Sequence, residues 1–376
     1  MPMVLTLLGF LWLIRRFVTF RIVVMEPRFF GHLALEPEVF VNEFKLVETS
    51  PRQVQLCTFG KISHAANVEL WRLRRKSTPS IPSWIVSEIN YWQRVSGKSV
   101  IRIDPASYHK LNFLKSTPPT LPVESHFDQR RKEILQRFAQ PDRPYVIFTV
   151  REASSIEDLR NRQIAEFETA MTGLVDVGFN VIRLTSQTED RLSLTHPNIL
   201  DFQVRVDGRP LDELALVSKT SFVVSSTTGI DCLALAYRRP VLYIDAARFF
   251  YMFLGTELAT IQMPRFISLV SGEPITLNDL VAMGLAWEKD SSAFRAKGVQ
   301  VMNSSAAEIK DCVSQYAQTF SRVVPTDSSW LQNLWRSQLM ARHSSEVMAR
   351  HGDIKATFSE WYLLSHGHQF VTGSTC

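Results

Sequence analysis

From Tyr145 onward the chain alternates short, β-branched apolar runs with stretches of helical periodicity, and few folds can absorb that alternation. Tyr145–Val150 (YVIFTV), Asn180–Leu184 (NVIRL), Thr220–Val224 (TSFVV) and Pro240–Ile244 (PVLYI) read as buried strands. Between them, 158–177 reads as an amphipathic helix with Ile164, Phe167, Met171, Leu174 and Val175 on one face and Gly178 as its C-terminal stop. Leu211–Val217 and Ile230–Tyr237 read as helices too. Parallel strands need crossover connections, usually helical, so this pattern predicts a parallel sheet covered on both faces.

The first part of the chain repeats the theme less regularly. Phe20–Met25 (FRIVVM) is expected as a strand, Glu26–His32 as a turn marked by Pro27 and Gly31, and 33–44 as a helix. Val54–Phe59 (VQLCTF) is a second strand ending at Gly60, and 65–76 and 83–95 follow as helices. The segment STPPTLPVES from Ser116 carries three prolines in ten residues and reads as a loop or linker. His126–Gln140 reads as a helix stopped by Pro141 and Pro144. Residues 278–283, 306–320 and 330–340 are further helices, and 358–364 is helical or extended. The expected division is an apolar segment 1–16, a Rossmann-like domain 17–140, a second Rossmann-like domain 141–325, and helices in 326–376 that cross back to the first domain. The fold class is α/β, with two Rossmann-like domains facing across a cleft.

A chain of 376 residues is long enough for two cores. The net charge of +5 is mild for that length, so no nucleic-acid partner is expected. The densest basic cluster, Arg72, Arg74, Arg75 and Lys76, reads as a solvated helix end, or alternatively as a patch for anionic lipid or a phosphorylated acceptor. Cys57, Cys232, Cys312 and Cys376 lack metal-type spacing. The first three fall in apolar-periodic stretches and read as buried thiols, which points to a reducing, cytoplasmic compartment. Val4–Ile14 is too short to span a bilayer, and extending it to Met25 would bury Arg15, Arg16 and Arg21. It is either a helix lying peripherally on the inner face of the cytoplasmic membrane or a helix packed on the protein.

Three stretches could carry chemistry. In FVVSSTTGIDCLALAYRRPVLYID, from Phe222, a strand runs into small hydroxyl residues and then a helix. Ser225, Ser226, Thr227, Thr228 and Gly229 would present hydroxyls and free N–H groups at a helix N-terminus, an arrangement suited to a diphosphate. Asp231 falls in the first turn, where it could also meet a ribose or sugar hydroxyl. In VIFTVREASSIEDLRNR, from Val146, Arg151 follows a buried strand at the carboxyl edge where α/β sheets bind ligands, with Arg162 downstream. The third stretch is Glu26–Glu43. There Gly31 would let backbone approach a ligand closely, and His32 is a candidate base because imidazole titrates near neutral pH. Glu36 and Glu26 are the competing carboxylates.

Taken together, RFFGHLALE, VRE…RNR, SSTTGID and Arg239-Pro240-Val241 resemble a family of bacterial glycosyltransferases found with surface-polysaccharide genes, and the donor-side loops of heptosyltransferases and related sugar-nucleotide epimerases. The resemblance covers most of 20–365. Arg28-Phe29-Phe30-Gly31-His32 departs from the tighter Arg-Ile-Gly-His form of that family. The resemblance implies a GT-B architecture, a nucleotide-sugar donor in the second domain, a glycan or lipid-linked acceptor in the first, and no metal or other cofactor. In keeping with that, the chain has no Asp-x-Asp for a metal-dependent transferase, no GxxxxGK[ST], no GxGxxG after a strand, no HExxH and no GxSxG. A sugar-nucleotide epimerase or pyruvyl transferase on a similar scaffold, and a non-catalytic glycan-binding partner, are the alternatives.

Overall fold

The structure, a computed structural model, describes residues 2–14, 16–46, 53–97, 100–106, 111–152, 159–185, 191–320, 330–337 and 351–367. It divides into two α/β units, one of Met1–Tyr108 with Ser116–Val123 and one of His109–Lys115 with Glu124–Cys376.

Unit 1 contains α1 (Pro2–Ile14), β1 (Thr19–Met25), α2 (Phe30–Leu46), β2 (Gln53–Phe59), α3 (Val68–Ser77), α4 (Ser83–Ser96) and β3 (Arg102–Pro105). Its sheet runs β2-β1-β3, with both pairings parallel. Helix α1 packs on α4 through Leu11, which joins Ile22, Val86, Ile89 and Ile101 in one cluster. Phe10, Trp12 and Leu13 remain exposed. Helix α3 begins three residues later than the sequence pattern suggests, because the Asn67 side chain accepts from the Leu70 N–H and caps it.

The basic cluster on α3 is the solvated helix end expected from the sequence at Arg72, Arg75 and Lys76, but not at Arg74. Arg74 is fully buried, and its guanidinium donates to Glu38 (2.9 Å), to the Thr120 hydroxyl (2.8 Å) and to the Ala34 carbonyl. Glu38, equally buried on α2, also accepts from the Thr120 N–H and from Asn42. The proline-rich segment is thereby tied to α2 and α3 by charge-assisted hydrogen bonds. Arg75 lies over the Trp71 ring instead.

Unit 2 contains α5 (Ser125–Leu135), β4 (Tyr145–Thr149), α6 (Glu168–Asp176), β5 (Asn180–Thr185), β6 (Ile199–Gln203), α7 (Val204–Asp207), α8 (Pro210–Val217), β7 (Val223–Ser225), α9 (Gly229–Ala236) and β8 (Val241–Tyr243). Then come β9 (Ala259–Ile261), β10 (Arg265–Ser268), α10 (Leu277–Ala282), α11 (Ser291–Ala296), β11 (Val299–Met302), α12 (Ala306–Phe320), α13 (330–337), β12 (Thr357–Phe358) and α14 (Glu360–Tyr362). The seven-stranded sheet has the order β12-β9-β8-β7-β4-β5-β6, parallel throughout. The chain builds outward from β4 to β6, returns to lay β7 against the other side of β4, and builds outward again. The order therefore reverses between β4 and β7.

One face of the central strands packs on α6 and α12, where Phe148, Phe167, Met171, Leu174, Val224, Ile309 and Val313 form a buried cluster. Helix α6 is shorter than expected because 164–167 is a 3₁₀ turn. Gly178 ends it with a φ of +98°, its N–H on the Val175 carbonyl and that of Phe179 on Leu174. Helix α5 belongs to this unit rather than to the first: Arg130 makes a two-pronged contact with Asp212 on α8, at 2.7 and 3.1 Å. The described C-terminal residues also pack here, with Trp335 of α13 against Phe249 and Phe358, and β12 beside β9. Residues 338–340 of the expected last helix lie outside the described residues. Cys57, Cys232 and Cys312 are buried thiols, and burial pushes Cys57 and Cys312 up to about 12. Cys376 lies outside the described residues. Among the described residues no helix is long and apolar enough to cross a membrane.

Replacing Arg74 by Met leaves Glu38 charged and buried without its main partner. We expect a loss of about 3–5 kcal/mol in stability, read as the urea midpoint, and partial recovery in the Arg74→Met, Glu38→Gln double variant. A single variant as stable as the native chain would contradict a buried ion pair here.

Candidate functional site

Open α/β sheets bind ligands beyond the carboxyl ends of their strands, where the strand order reverses. In unit 2 that place is the end of β4 and β7, and three hydrogen bonds lash the two chain segments together. The Ser226 N–H donates to the Thr149 carbonyl (3.2 Å), and the Arg151 N–H donates to the Ser226 hydroxyl (2.8 Å). The hydroxyls of Thr149 and Thr228 lie 2.9 Å apart. Arg151 and the 225–229 loop, singled out separately in the sequence, therefore meet through the Arg151 backbone N–H, and Arg151 is half-buried.

The loop's chemistry differs from the expectation of a row of free hydroxyls. The buried Ser225 hydroxyl accepts from the N–H groups of Thr227 (3.0 Å) and Thr228 (3.2 Å) and donates to Asp231 (3.1 Å). Asp231 accepts from the Thr228 N–H (2.9 Å) while the Thr228 hydroxyl caps α9, a reciprocal capping box. Ser225, Ser226 and Asp231 are thus internal braces, and the reading of Asp231 as a partner for a sugar hydroxyl is corrected: its carboxylate is buried and engaged in holding the loop. Thr227, Thr228 and Gly229 are half-buried, and of these Thr228 is engaged at both its N–H and its hydroxyl. Thr227 is held at a φ of +71°, which a threonine adopts only under constraint.

Arg162 is likewise not poised toward a ligand. Its side chain is buried, pairs with Asp245, donates to Glu166 (2.7 Å) and to the Ser304 carbonyl (3.0 Å), and burial lowers its pKa. Its N–H donates to the Arg151 carbonyl (2.8 Å), so it supports Arg151 from behind. Asp245, beyond β8 at the same sheet edge, was missed in the sequence. It sits at a φ of +53° and accepts from the Ser304 N–H (3.1 Å) and hydroxyl (2.8 Å). The signal was present: a carboxylate directly follows a buried strand, the criterion that singled out Arg151.

Unit 1 places its candidates at the carboxyl end of β1. Gly31 and His32 lie in the first turn of α2. The His32 Nδ1 is 2.7 Å from Glu36, whose carboxylate also accepts from the Glu26 N–H (3.1 Å). Glu36 is buried while the His32 side chain is about a third exposed, so the imidazole faces solvent and the carboxylate steadies it from within. A carboxylate–imidazole pair of this kind can act as a base toward a hydroxyl. Glu26 is held differently: Arg28 hydrogen-bonds its carboxyl twice, at 2.9 Å, and lowers its pKa, which makes it a poor proton acceptor. Among the described residues no group of three or more His, Cys, Asp or Glu could hold a metal ion.

No family model and no curated protein matches the sequence. Among solved structures, the chain is similar to the Escherichia coli ADP-heptose lipopolysaccharide heptosyltransferase II, at 12% identity over 66% of this chain and 90% of that one, with a TM-score of 0.41. A family 9 glycosyl transferase of Veillonella parvula is 11% identical over 66% and 86%, with a TM-score of 0.40. A Listeria monocytogenes protein assigned as a UDP-N-acetylglucosamine 2-epimerase is 10% identical over 81% and 97%, with a TM-score of 0.34. Likenesses this distant carry no argument about activity.

Burial outweighs the hydrogen bonds on Asp231 and pushes its carboxyl up to about 6. The unfolded chain releases that proton near pH 4. Between about pH 4 and 6 the unfolded state therefore binds fewer protons, and this group's contribution to stability falls as pH rises, then levels off. Relative to Asp231→Asn, the native chain should lose about 3 kcal/mol across that window in thermal melts. A pH-independent difference would refute the raised pKa.

Proposed function

We propose that the chain is a metal-independent glycosyltransferase of GT-B architecture that moves a sugar from a nucleotide-sugar donor to a glycan or lipid-linked acceptor in surface-polysaccharide synthesis. The observation that carries this reading is the junction of Arg151 with the N-terminus of α9 at the strand-order reversal of unit 2. The donor's diphosphate lies against the loop at the Thr227 side chain and Gly229, at the start of α9, where the helix dipole favours negative charge. Arg151 adds a guanidinium to the charge that develops on the leaving nucleoside diphosphate. Ser225, Ser226, Asp231 and Arg162 hold this arrangement without touching the ligand.

Unit 1 supplies the acceptor side. His32, steadied by Glu36, takes the proton of the acceptor hydroxyl as its oxygen bonds to the anomeric carbon of the donor sugar. The bond from that carbon to the diphosphate oxygen breaks, and its electron pair leaves with the nucleotide. Residues outside the site also suit the role. The exposed Phe10, Trp12 and Leu13 of α1, followed by exposed Phe17 and Arg16, form an apolar face with a basic end that suits peripheral contact with a membrane surface.

A thermal-shift panel of UDP, GDP, CMP, ADP and dTDP tests the donor side, because a ligand of the native state raises apparent stability. One nucleotide should stabilise the native chain, and Arg151→Ala should abolish that shift. His32→Gln should keep the shift but lower kcat by about 10²–10⁴ with a labelled donor. No shift with any nucleotide would favour a non-catalytic glycan-binding partner, and conversion of the labelled donor without transfer would favour an epimerase. Separately, deleting residues 1–14 should abolish flotation with anionic vesicles; unchanged flotation would remove α1 from that role.

A further inference from the structure

Unit 1 holds a cavity of about 550 Å³ at the carboxyl end of β2, a size ordinary for a small-ligand site. Its walls are aromatic: Phe59 at the end of β2, Trp71 on α3 and Trp84 in the first turn of α4. Trp71 is fixed, since its indole N–H donates to the Gly60 carbonyl (3.2 Å) and its ring meets Phe59 edge-on. Trp84, by contrast, is 56% exposed, a large apolar surface beside an open cavity. The charge of the lining has one sign. Lys61 and Arg75 contribute to it, and no aspartate or glutamate does. Arg75 rests over the Trp71 ring, 5.1 Å from its centre, which keeps the guanidinium at the wall.

We propose that this cavity is a subsite for an anionic saccharide, a sugar ring carrying a phosphate or carboxylate. The C–H face of a pyranose is apolar and lies flat on an indole, as planar rings do on aromatic walls. Arg75 and Lys61 answer the anion, the first as a planar two-pronged donor. Ser63, Ser80 and Ser83 along the lining match sugar hydroxyls. The loop that forms the cavity floor is packed on the turn leading to His32. A Cβ at Gly60 would fall 2.9 Å from the Pro27 side chain, and the Ala66 N–H donates to the Pro27 carbonyl (2.9 Å). Assigning the bound sugar to the acceptor rests on the glycosyltransferase reading above; the binding itself does not.

Calorimetric titration of the full chain with glucose 6-phosphate, glucuronate, glucose and inorganic phosphate tests the proposal. Either anionic sugar should bind more tightly than glucose or phosphate. Arg75→Gln, Lys61→Gln and Trp84→Ala, each at an exposed position, should weaken it about tenfold or more, while Arg151→Ala leaves it unchanged. No binding by either anionic sugar, equal binding by the variants, or inorganic phosphate binding as well as glucose 6-phosphate would each overturn it. Loss of nucleotide affinity in these three variants would also overturn it, by assigning the cavity to the donor. If anionic sugars bind as described while no nucleotide does, the glycosyltransferase reading falls and the subsite stands.

Discussion

The lashing of β4 to the loop between β7 and α9 is the constraint on which unit 2's site depends. Parallel strands do not by themselves align the loops beyond their ends; side chains must. Here Thr149, Ser226 and Thr228 do it with short hydroxyl side chains, whose geometry is stiff because few torsions separate the oxygen from the backbone. Around them Ser225 and one oxygen of Asp231 bind each other and the Thr227 and Thr228 N–H groups, and Thr227 is held in the left-handed region. The strain at Thr227 and Asp245 sits at one edge of the sheet, where the packed core behind it over-determines the backbone.

Buried charge is a second theme. Arg74 with Glu38, Arg162 with Asp245, and Arg183 with Asp201 and Glu152 all hold ions away from water. Pairs of this kind add little net stability over apolar residues of the same shape, but they tolerate few alternative arrangements. Each one ties a loop to regular structure: the proline-rich segment to α2 and α3, the segment after β4 to the end of β8, and the start of that same segment to β5 and β6. The loops that carry Arg151 and Thr120 are therefore positioned by buried ion pairs as well as by apolar anchors such as Val150 and Leu121.

Much of this was legible in the sequence, and the pattern of success follows the physics. Short β-branched runs and 3.6-residue periodicity report burial along one element, so β4, β5, β7, β8, α9 and α12 were visible, as was the stop at Gly178. The residue following a buried strand lies at the sheet's carboxyl edge by geometry alone, so Arg151 could be placed. His32 and Glu36 were both named, but as competitors, with His32 in a turn; their pairing follows from the helix beginning earlier, at Phe30, which sets them four residues apart on one face.

What the sequence could not settle was the partner of each polar group. A serine, an aspartate and an arginine next to a candidate site look alike whether they face a ligand or brace the backbone, and Ser225, Asp231 and Arg162 turned out to brace it. Arg74 looked solvated because its carboxylate lies thirty-six positions away on another helix. Helix α5 looked like part of the first unit because its contact with Asp212 is more remote still, eighty-two positions away. By itself the sequence determined the parallel α/β class and the longer periodic elements, β1, β2, β4, β5, β7, β8 and the main helices, since those depend on local periodicity; β3, β6 and β9 to β12, short or weakly patterned, were not read. Only tertiary structure decided which polar groups are consumed internally and which face outward, because hydrogen bonds are pairwise, directional and made between residues far apart in the chain.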